Sequence, residues 1–506
     1  MRSRSGYTFH FSGSAVSQLI RQLDMLAKPT LQAARPRASP IPIITDFYDS
    51  DHGALLKAGW LAQANHNDAV HVYTLSRCHT SGTALQTWHS WAGAAHADTP
   101  SDAAFAGLPD LPGKIQRILT QHAALTLRLS TDIQRSSWQL PSLDHPDIEV
   151  LLEIGYLAIA GQRQDIAELT LSSSRADAGP ALLTLARQLH QTTPLFLLPE
   201  PAVRTALRRL FDTTASPVKY AAPDATGHHA SANLCLANLT AIVEHWLSNQ
   251  AGVREHSDIE YVHQLRVALR RLNAACKLFA PWLDPVWHDR LAPELRWLRG
   301  LLGQTRDWDV FVDVTLPALC AATTCHPETS GEFAQARQLR DEARVTLQTA
   351  MKSTRYATLV LDVVQWLALV SQQQTIDGRQ SSSRKHAKKW LRKNHLIGTS
   401  IPHFSQLPEA EQHRIRLRAK RLRYTIEFLA PLLSPKSCKS ASRSYAAMLD
   451  ALGTANDAAV AAQLIKRLTL NTETRAYANG WLAARRQYCV GVVERQLPHL
   501  RKPKLA

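Results

Sequence analysis

The chain has 506 residues, 45% of them hydrophobic and 20% charged, the composition of an ordinary globular protein with room for more than one core. No apolar run approaches the ~20 residues needed to cross a bilayer, and the two N-terminal arginines precede no apolar segment, which argues against a secretory leader. The seven cysteines (Cys78, Cys235, Cys276, Cys320, Cys325, Cys438, Cys489) are dispersed without a CxxC pair, which argues against a disulfide framework and a structural zinc and for a reducing cytosol. The net charge of +16 is uneven: residues 251–506 hold 39 Lys+Arg against 22 Asp+Glu, and residues 1–250 hold 19 against 20. All of the positive excess therefore lies in the second half, which points to a polyanionic partner.

In chain order, residues 1–220 read as a mixed, β-rich α+β domain. Tyr7, Phe9 and Phe11 alternate in a short strand, and Ser14 to Leu26 follows as a helix. Residues 28–42 carry four prolines and read as loop. Val70 to Leu75 is a strand after a turn at His66-Asn67-Asp68. Residues 79–112 are rich in Ala, Gly, Pro and Asp and show little regular pattern. Glu149–Gly155 and Ile166–Leu171 flank a turn at Gly161-Gln162 and predict an antiparallel hairpin, and Ala181 to Leu189 predicts a helix. Residues 213–231, with Pro217, Pro223, Gly227 and a His228-His229 pair, read as a linker.

From 232 onward the chain reads as helical. Segments over Leu234–Leu247, Tyr261–Ala280, Leu291–Val310, Glu332–Ala350, Tyr356–Val370, Arg384–Lys393, Glu411–Ala430, Tyr445–Leu468 and Arg475–Arg495 carry helical periodicity. The polar stretch 371–383 reads as a link, and Pro281/Pro285 and Pro431/Pro435 read as breaks. In Glu411–Ala430, Ile415, Ala419, Leu422, Ile426 and Leu429 form an apolar stripe, while His413, Arg416, Lys420, Arg423 and Glu427 form a second one. So positive a helix face repels itself unless an anion lies against it. Tyr261–Ala280 repeats the layout 150 positions earlier: His263 matches His413, Arg266 matches Arg416, and Arg270 matches Lys420. The same offset joins Leu302-Gly303 to Leu452-Gly453 and Asp307 to Asp457. An internal duplication of about 150 residues predicts two tandem, pseudo-symmetric helical bundles.

Two family resemblances follow from these segments. ITDFYDSDHGALLKAGWLA (Ile44–Ala62) and EVLLEIGYLAIAGQRQDIAELTL (Glu149–Leu171) resemble CYTH domains, the triphosphate tunnel family. The resemblance implies an antiparallel β-barrel over residues 1–215 and a Glu-x-Glu-x-Lys first strand that handles metal and triphosphate. This chain offers Tyr7, Phe9 and Phe11 there, and Leu61, Ala62, Gln63 and Ala64 where the family alternates arginines. Of the charged set, Glu153, Glu168 and Arg135 remain. The expectation is a barrel that has lost its catalysis, since metal-assisted phosphoryl chemistry needs hard oxygen ligands and cations.

The segments HQLRVALRRL, ELRWLRGLLGQTRDWDVF, STRYATLVLDVVQWL and HRIRLRAKRLRY resemble a CHAD domain, the conserved-histidine α-helical domain, over 232–498. One repeat covers about 232–370 and the other about 384–498, after a linker at 216–231. The resemblance implies a basic channel between the bundles, binding of inorganic polyphosphate, and association with polyphosphate granules in the cytoplasm. Matching position to motif selects His263, Arg266, Arg270 and Lys277 from the first repeat and His413, Arg416, Lys420 and Arg423 from the second. Arg271, Arg421, Arg296, Arg299, Lys352 and Arg355 form a second tier.

Polyphosphate carries about one negative charge per phosphate, so a row of cations and counterion release would supply the attraction, as for a nucleic-acid backbone. Each candidate has a plainer reading. Arg271 and Arg421 are equally suited to pairing with acids on neighbouring helices, Asp307, Asp309 and Asp457 to capping helices or holding the arginines, and Tyr424 and Trp308 to the edge of the core. Neither His263 nor His413 has a His or carboxylate at i+3 or i+4, so no metal is expected, nor any cofactor. The leading expectation is a non-enzymatic polyphosphate binder. The alternatives are residual triphosphatase activity in the barrel and general polyanion or nucleic-acid binding. The basic helices lack interleaved aromatics for base stacking, so no specific nucleic acid is expected.

Overall fold

Eight strands close on themselves in the N-terminal part of the computed structural model. The structure describes residues 2–27, 40–66, 70–80, 85–96, 99–121, 124–140, 147–175, 177–211, 216–223, 231–255, 258–284, 286–321, 333–377, 383–394, 401 and 403–500. His228 and His229 of the expected linker lie outside them, as do Asn67 and Asp68 of the expected turn and most of 28–42. The described residues divide into two compact units, one of 1–216 with 353–369 and one of 217–352 with 370–506.

The strands are β1 (Arg2–His10), β2 (Ile41–Asp49), β3 (Trp60–Asn65), β4 (Val70–Thr80), β5 (Gln86–His96), β6 (Thr126–Leu140), β7 (Ile148–Ile159) and β8 (Gln162–Ser173). They run in the order β5-β4-β3-β2-β6-β7-β8-β1, and β1 pairs with β5 to close an antiparallel barrel. A three-residue strand, β9 (Phe196–Leu198), pairs with β1 where β5 leaves it. The expected β7–β8 hairpin is present, turned at Ala160 and Gly161, both at positive φ (48° and 76°) as a tight two-residue hairpin turn requires.

Side chains alternate across a strand, so each strand gives one face to the lumen and one to the outside. Tyr7 and Phe9 pair with Leu171 and Leu169, and all four are buried. This face lies under the helix α1 (Val16–Leu26), where Trp138 Nε1 donates to Asp24 at 2.9 Å, and under α5 (Gly179–His190), which contacts β1 and β8. On the far side, α3 (Ser101–Ala106) and α4 (Gly113–Gln121) cover Trp60, Tyr73, Leu75 and Trp91. Tyr7, Phe9 and Phe11 therefore point outward into the helix-covered core, and the expectation that they replace the lumen glutamates and lysine is corrected. The lumen positions of β1 are Arg4, Gly6, Thr8 and His10, none of them acidic. Residues 79–112 are also more regular than their composition suggests, since β5 and α3 lie within them.

The lumen is closed at one end by α6 (Ala202–Leu210), which contacts the short helix α2 (Ala54–Lys57) and whose Ala206 and Leu207 pack on Phe47, Leu129, Ile133, Leu157 and Ile166. Across the same inner face Arg135 pairs with Glu153 at 2.6 Å. Glu168, the next residue in that row, is 6% exposed and accepts a hydrogen bond from the Ala202 N–H at 2.7 Å. Burial raises its pKa to about 8, against the opposing Ala202 hydrogen bond and with Glu153 adding to the rise.

The second part is all helical: α7 (Ser231–Glu255), α8 (Ile259–Leu278), α9 (Val286–Val310), α10 (Leu316–Ala321), α11 (Ala334–Met351), α12 (Thr354–Asp377), α13 (Ser383–Asn394), α14 (Glu409–Phe428), α15 (Pro435–Ile465) and α16 (Thr472–Gln496). The duplication survives in the backbone. α8 and α14 begin and end 150 residues apart, and each is followed by a 3₁₀ turn, 280–282 and 430–432. The copies diverge afterwards: α9 gives way to one π-helical turn at Phe311–Thr315, whereas α15 runs on unbroken. Pro435 opens α15 as its first residue, where a missing N–H costs nothing. The stretch 371–383 is helical as far as Asp377, because nothing in it forbids extension of α12. The stretch 353–369 of α12 groups with the barrel unit, where Asp362 meets Arg187 of α5 at 3.1 Å and Thr358 meets His190 at 2.9 Å.

A cation-lined cavity between the duplicated helices

The basic helices face one another because their apolar stripes are buried in the same unit. On α8, Leu265, Ala268, Leu269 and Leu272 are inaccessible; on α14, so are Ala419, Leu422 and Ile426. Asp258 fixes the start of α8 by accepting from the Glu260 N–H at 2.8 Å. With the apolar faces turned inward, the flanking cations converge on a cavity of about 200 Å³. His263, Arg266 and Arg270 enter it from α8, Arg306 and Asp307 from α9, Arg416 and Lys420 from α14, and Asp457 from α15.

Four arginines, one lysine and one histidine thus surround two carboxylates. Asp307 and Asp457 are too few to neutralise them, and each feels the cations of both copies. Burial raises the pKa of Asp307, opposed chiefly by Arg266 and assisted by Asp457. Lys420 is driven down to about 7 by burial and then by Arg416, Arg270 and Arg266, with Asp457 opposing. Arg416 falls to about 10 through burial, despite Asp457. His263 falls to about 4 through burial and Arg306, so it is neutral near pH 7. Buried nitrogens of Arg270 (Nε), Arg306 (one terminal nitrogen) and Arg416 (Nε) have no hydrogen-bond acceptor among the described residues. A buried donor without an acceptor costs about 1–3 kcal/mol, and more when it carries charge as a guanidinium does, so the lining is suited to an anion.

The remaining candidates fall elsewhere. His413, the counterpart of His263, lines a neighbouring cavity with Arg416, which borders both. Lys277, Arg299, Arg421 and Arg296 form a second basic group: burial and then Arg421 and Arg299 lower the Lys277 pKa, and burial and then Arg296 lower that of Arg299. Lys277 lies seven residues, or about 10 Å of helix, beyond Arg270. Arg271 makes the contacts of the plainer of its two expected readings. It is ion-paired with Glu427 and stacked over Tyr220 (4.0 Å) and Tyr424 (4.7 Å), so its charge is already answered. Arg423 is 3.5 Å from the same Glu427. Lys352 and Arg355 stand at the α11–α12 junction and do not line the cavity. Asp309 is held by Arg344 at 2.7 Å, and Trp308 is core, with Arg467 over its ring at 5.2 Å.

Arg306 was not selected from the sequence. It has no match in the second copy, where Asn456 stands, so a search for repeated residues passes over it. Its place beside the repeated Asp307 and three residues after Gly303 is the signal that locates it.

The fold and cavity define a duplicated α-helical domain that gathers cations from both copies around one site. Residues 237–466 match the family model of the CHAD domain, and this part of the chain is a CHAD domain. The similar solved structures include the CHAD domain from the plant Ricinus communis, with 26% identity, a TM-score of 0.47, and coverage of 58% of this chain and 98% of that one. They also include HpAC1 from Hippeastrum, a candidate adenylyl cyclase described as having a dominant triphosphatase activity (12% identity, TM-score 0.28, 42% of this chain and 98% of that one). A third is a candidate adenylate cyclase from Bacillus halodurans (12%, 0.24, 43% and 96%). No curated protein sequence matches. Among the described residues, no helix is long and apolar enough to cross a membrane.

Proposed function

We propose that this protein binds inorganic polyphosphate in the cation-lined cavity of its CHAD domain and does not turn it over. The observation that carries the reading is the set of Arg266, Arg270, Arg306, Arg416 and Lys420 around one cavity, with buried guanidinium nitrogens that lack acceptors. A flexible chain of phosphates supplies closely spaced oxygens to such donors, and Arg donates to them in forked pairs. The Lys277, Arg296, Arg299 and Arg421 group extends the attraction along the same helices. Base stacking is not provided for, because Tyr424 and Trp308 are already covered by Arg271 and Arg467. The absence of turnover is supported by the barrel: β1 offers the lumen no acid, Glu168 serves the start of α6, and α6 fills one end. The protein acts in the cytoplasm, on polyphosphate granules.

The test is binding of the full chain to long-chain polyphosphate and to DNA of equal total charge at two salt concentrations, beside an Arg266→Ala/Arg416→Ala/Lys420→Ala variant. Tighter binding to polyphosphate, lost in the variant, supports the reading; equal affinity for both polymers, or an unaffected variant, overturns it. Metal-dependent phosphate release from tripolyphosphate by the same preparation would overturn the non-enzymatic part. A fluorescent fusion that stays away from stained granules would overturn the localisation.

A further inference from the structure

The second cavity, of about 300 Å³, belongs to the second copy alone. It lies between α14, α15 and α16, with Phe404 at its edge, and it adjoins the central site through Arg416 and Asn456, which line both. The duplication explains why it is open. At the positions of Ala455, Asn456 and Ala459 the first copy carries Thr305, Arg306 and Asp309. There the Thr305 hydroxyl lies 3.1 Å from the Leu301 carbonyl and 3.2 Å from the Ala343 carbonyl, and Asp309 holds Arg344 from α11, so longer side chains with their own partners stand at these positions. Two alanines and an asparagine leave the cavity open in the second copy.

The walls are chemically divided. Leu452, Val490, Phe404 and the alanines are apolar, while His413 and Arg416 face the cavity from one helix. The far polar side is already satisfied: Arg486 pairs with Glu409 at 2.8 Å and donates to Gln412 Oε1 at 3.0 Å, and Gln412 Nε2 donates to the Phe404 and Leu407 carbonyls. Arg416 Nε has no hydrogen-bond acceptor among the described residues. A bare polyanion has no use for the apolar wall, and a purely apolar ligand has no use for Arg416 beside His413. We propose that this cavity binds a phosphate monoester carrying an apolar or aromatic organic group, of about nucleoside-monophosphate size, with the phosphate on Arg416 and His413 and the organic group against Leu452, Val490 and Phe404. Because Arg416 serves both cavities, the ester and a polyanion in the central cavity compete for it, so each weakens the other reciprocally.

The test uses the full chain and calorimetric titration with AMP, phenyl phosphate, adenosine and inorganic phosphate. AMP or phenyl phosphate binding at least tenfold tighter than inorganic phosphate and adenosine is expected. Two variants fill the cavity without touching the central cations: Ala459→Leu inside it and Ala410→Trp at its exposed mouth. Each should weaken the ester at least tenfold and leave tripolyphosphate binding unchanged, which also shows that the variant is folded. No saturable ester binding, affinity no better than that of inorganic phosphate, or binding indifferent to both variants overturns the proposal. Its failure leaves the polyphosphate reading untouched, since that reading is decided by the central-site variant.

Discussion

Arg266 lies where residue 303 has no side chain: a Cβ built on Gly303 would stand 2.6 Å from a terminal guanidinium nitrogen of Arg266. The glycine of the repeated Leu-Gly pair is thus a seat for the arginine of the facing helix. In the second copy a Cβ on Gly453 meets nothing within 4 Å. One pair, two environments: Gly303→Ala should displace Arg266 and weaken polyphosphate binding several-fold, while Gly453→Ala, which adds a methyl to the cavity wall without displacing a cation, should have the smaller effect. Parallel titrations of the two variants check this.

Polyphosphate binding should take up protons. Lys420 is held near 7 by burial and by Arg416, Arg270 and Arg266, so close to neutrality it is partly uncharged, and a polyanion favours its charged form. Affinity should rise as pH falls from about 8.5 to 6, and Lys420→Arg should flatten that dependence. In the free protein the sign is reversed. A lysine whose folded pKa is depressed from 10.5 to about 7 contributes stability present at high pH and lost as pH falls through that window. Measured against a Lys420→Met variant, the unliganded protein should lose melting temperature as pH falls from 9 to 6.5, with polyphosphate restoring more of the loss at the lower pH. Calorimetry in buffers of different ionisation enthalpy counts the protons.

Adjacent arginines should behave oppositely. Arg271→Ala strips Glu427 of its main partner and Tyr220 and Tyr424 of their cation, and should cost roughly 2–3 kcal/mol. That is less than for a fully enclosed pair, because Glu427 retains Arg423 and some solvent. Its direct effect on affinity should be small. Arg270→Ala removes a cation crowded by other cations, so stability should hold or improve while affinity falls. Urea unfolding beside polyphosphate titration separates the two.

Glu168 offers a pH test of the barrel. Its carboxyl titrates near 8 instead of 4.5, so the folded state keeps a proton that the unfolded chain releases, and stability falls as pH rises from 4.5 through 8. Glu168→Gln retains an acceptor for the Ala202 N–H without the ionisation. It should match the parent at pH 5 and exceed it at pH 9, as read from thermal melts across that range.

The helical part was legible because its evidence is redundant. His263/His413, Arg266/Arg416 and Asp307/Asp457 repeat at one offset, and the cavity draws on both members of the last two pairs. What the duplication hides is its own divergence. Arg306 faces Asn456, His413 departs from the cavity that His263 lines, and Arg271 and Arg421 share an expectation but not an environment. The barrel was harder for a different reason. Alternation shows that Tyr7, Phe9 and Phe11 share a face, but period two says nothing about which face is inside, and in a closed barrel both can be buried. β6 passed unnoticed because Arg128, Asp132 and Arg135 give it a polar texture, and β5 because its small residues carry no strand preference. The structure shows those charges answered: Arg135 by Glu153 and Asp132 by the Tyr156 hydroxyl on the neighbouring strand, and Arg128 by Asp51 in the turn after β2.

The closure of the barrel sets an order on how the chain is made. β1 is made before the other strands of the barrel, yet its partners are residues 86–90, 168–173 and 196–198. Every other barrel strand can pair with a neighbour already made or soon to follow, whereas β1 must wait for some 160 further residues before its second edge is covered. Until then its row of N–H and C=O groups, with Tyr7 and Phe9 alongside, is an uncovered edge of the kind that other chains can add to. The seam of this barrel is therefore a matter of timing: chains stalled before residue 173 should aggregate through this edge more readily than chains that extend past β9 and α6.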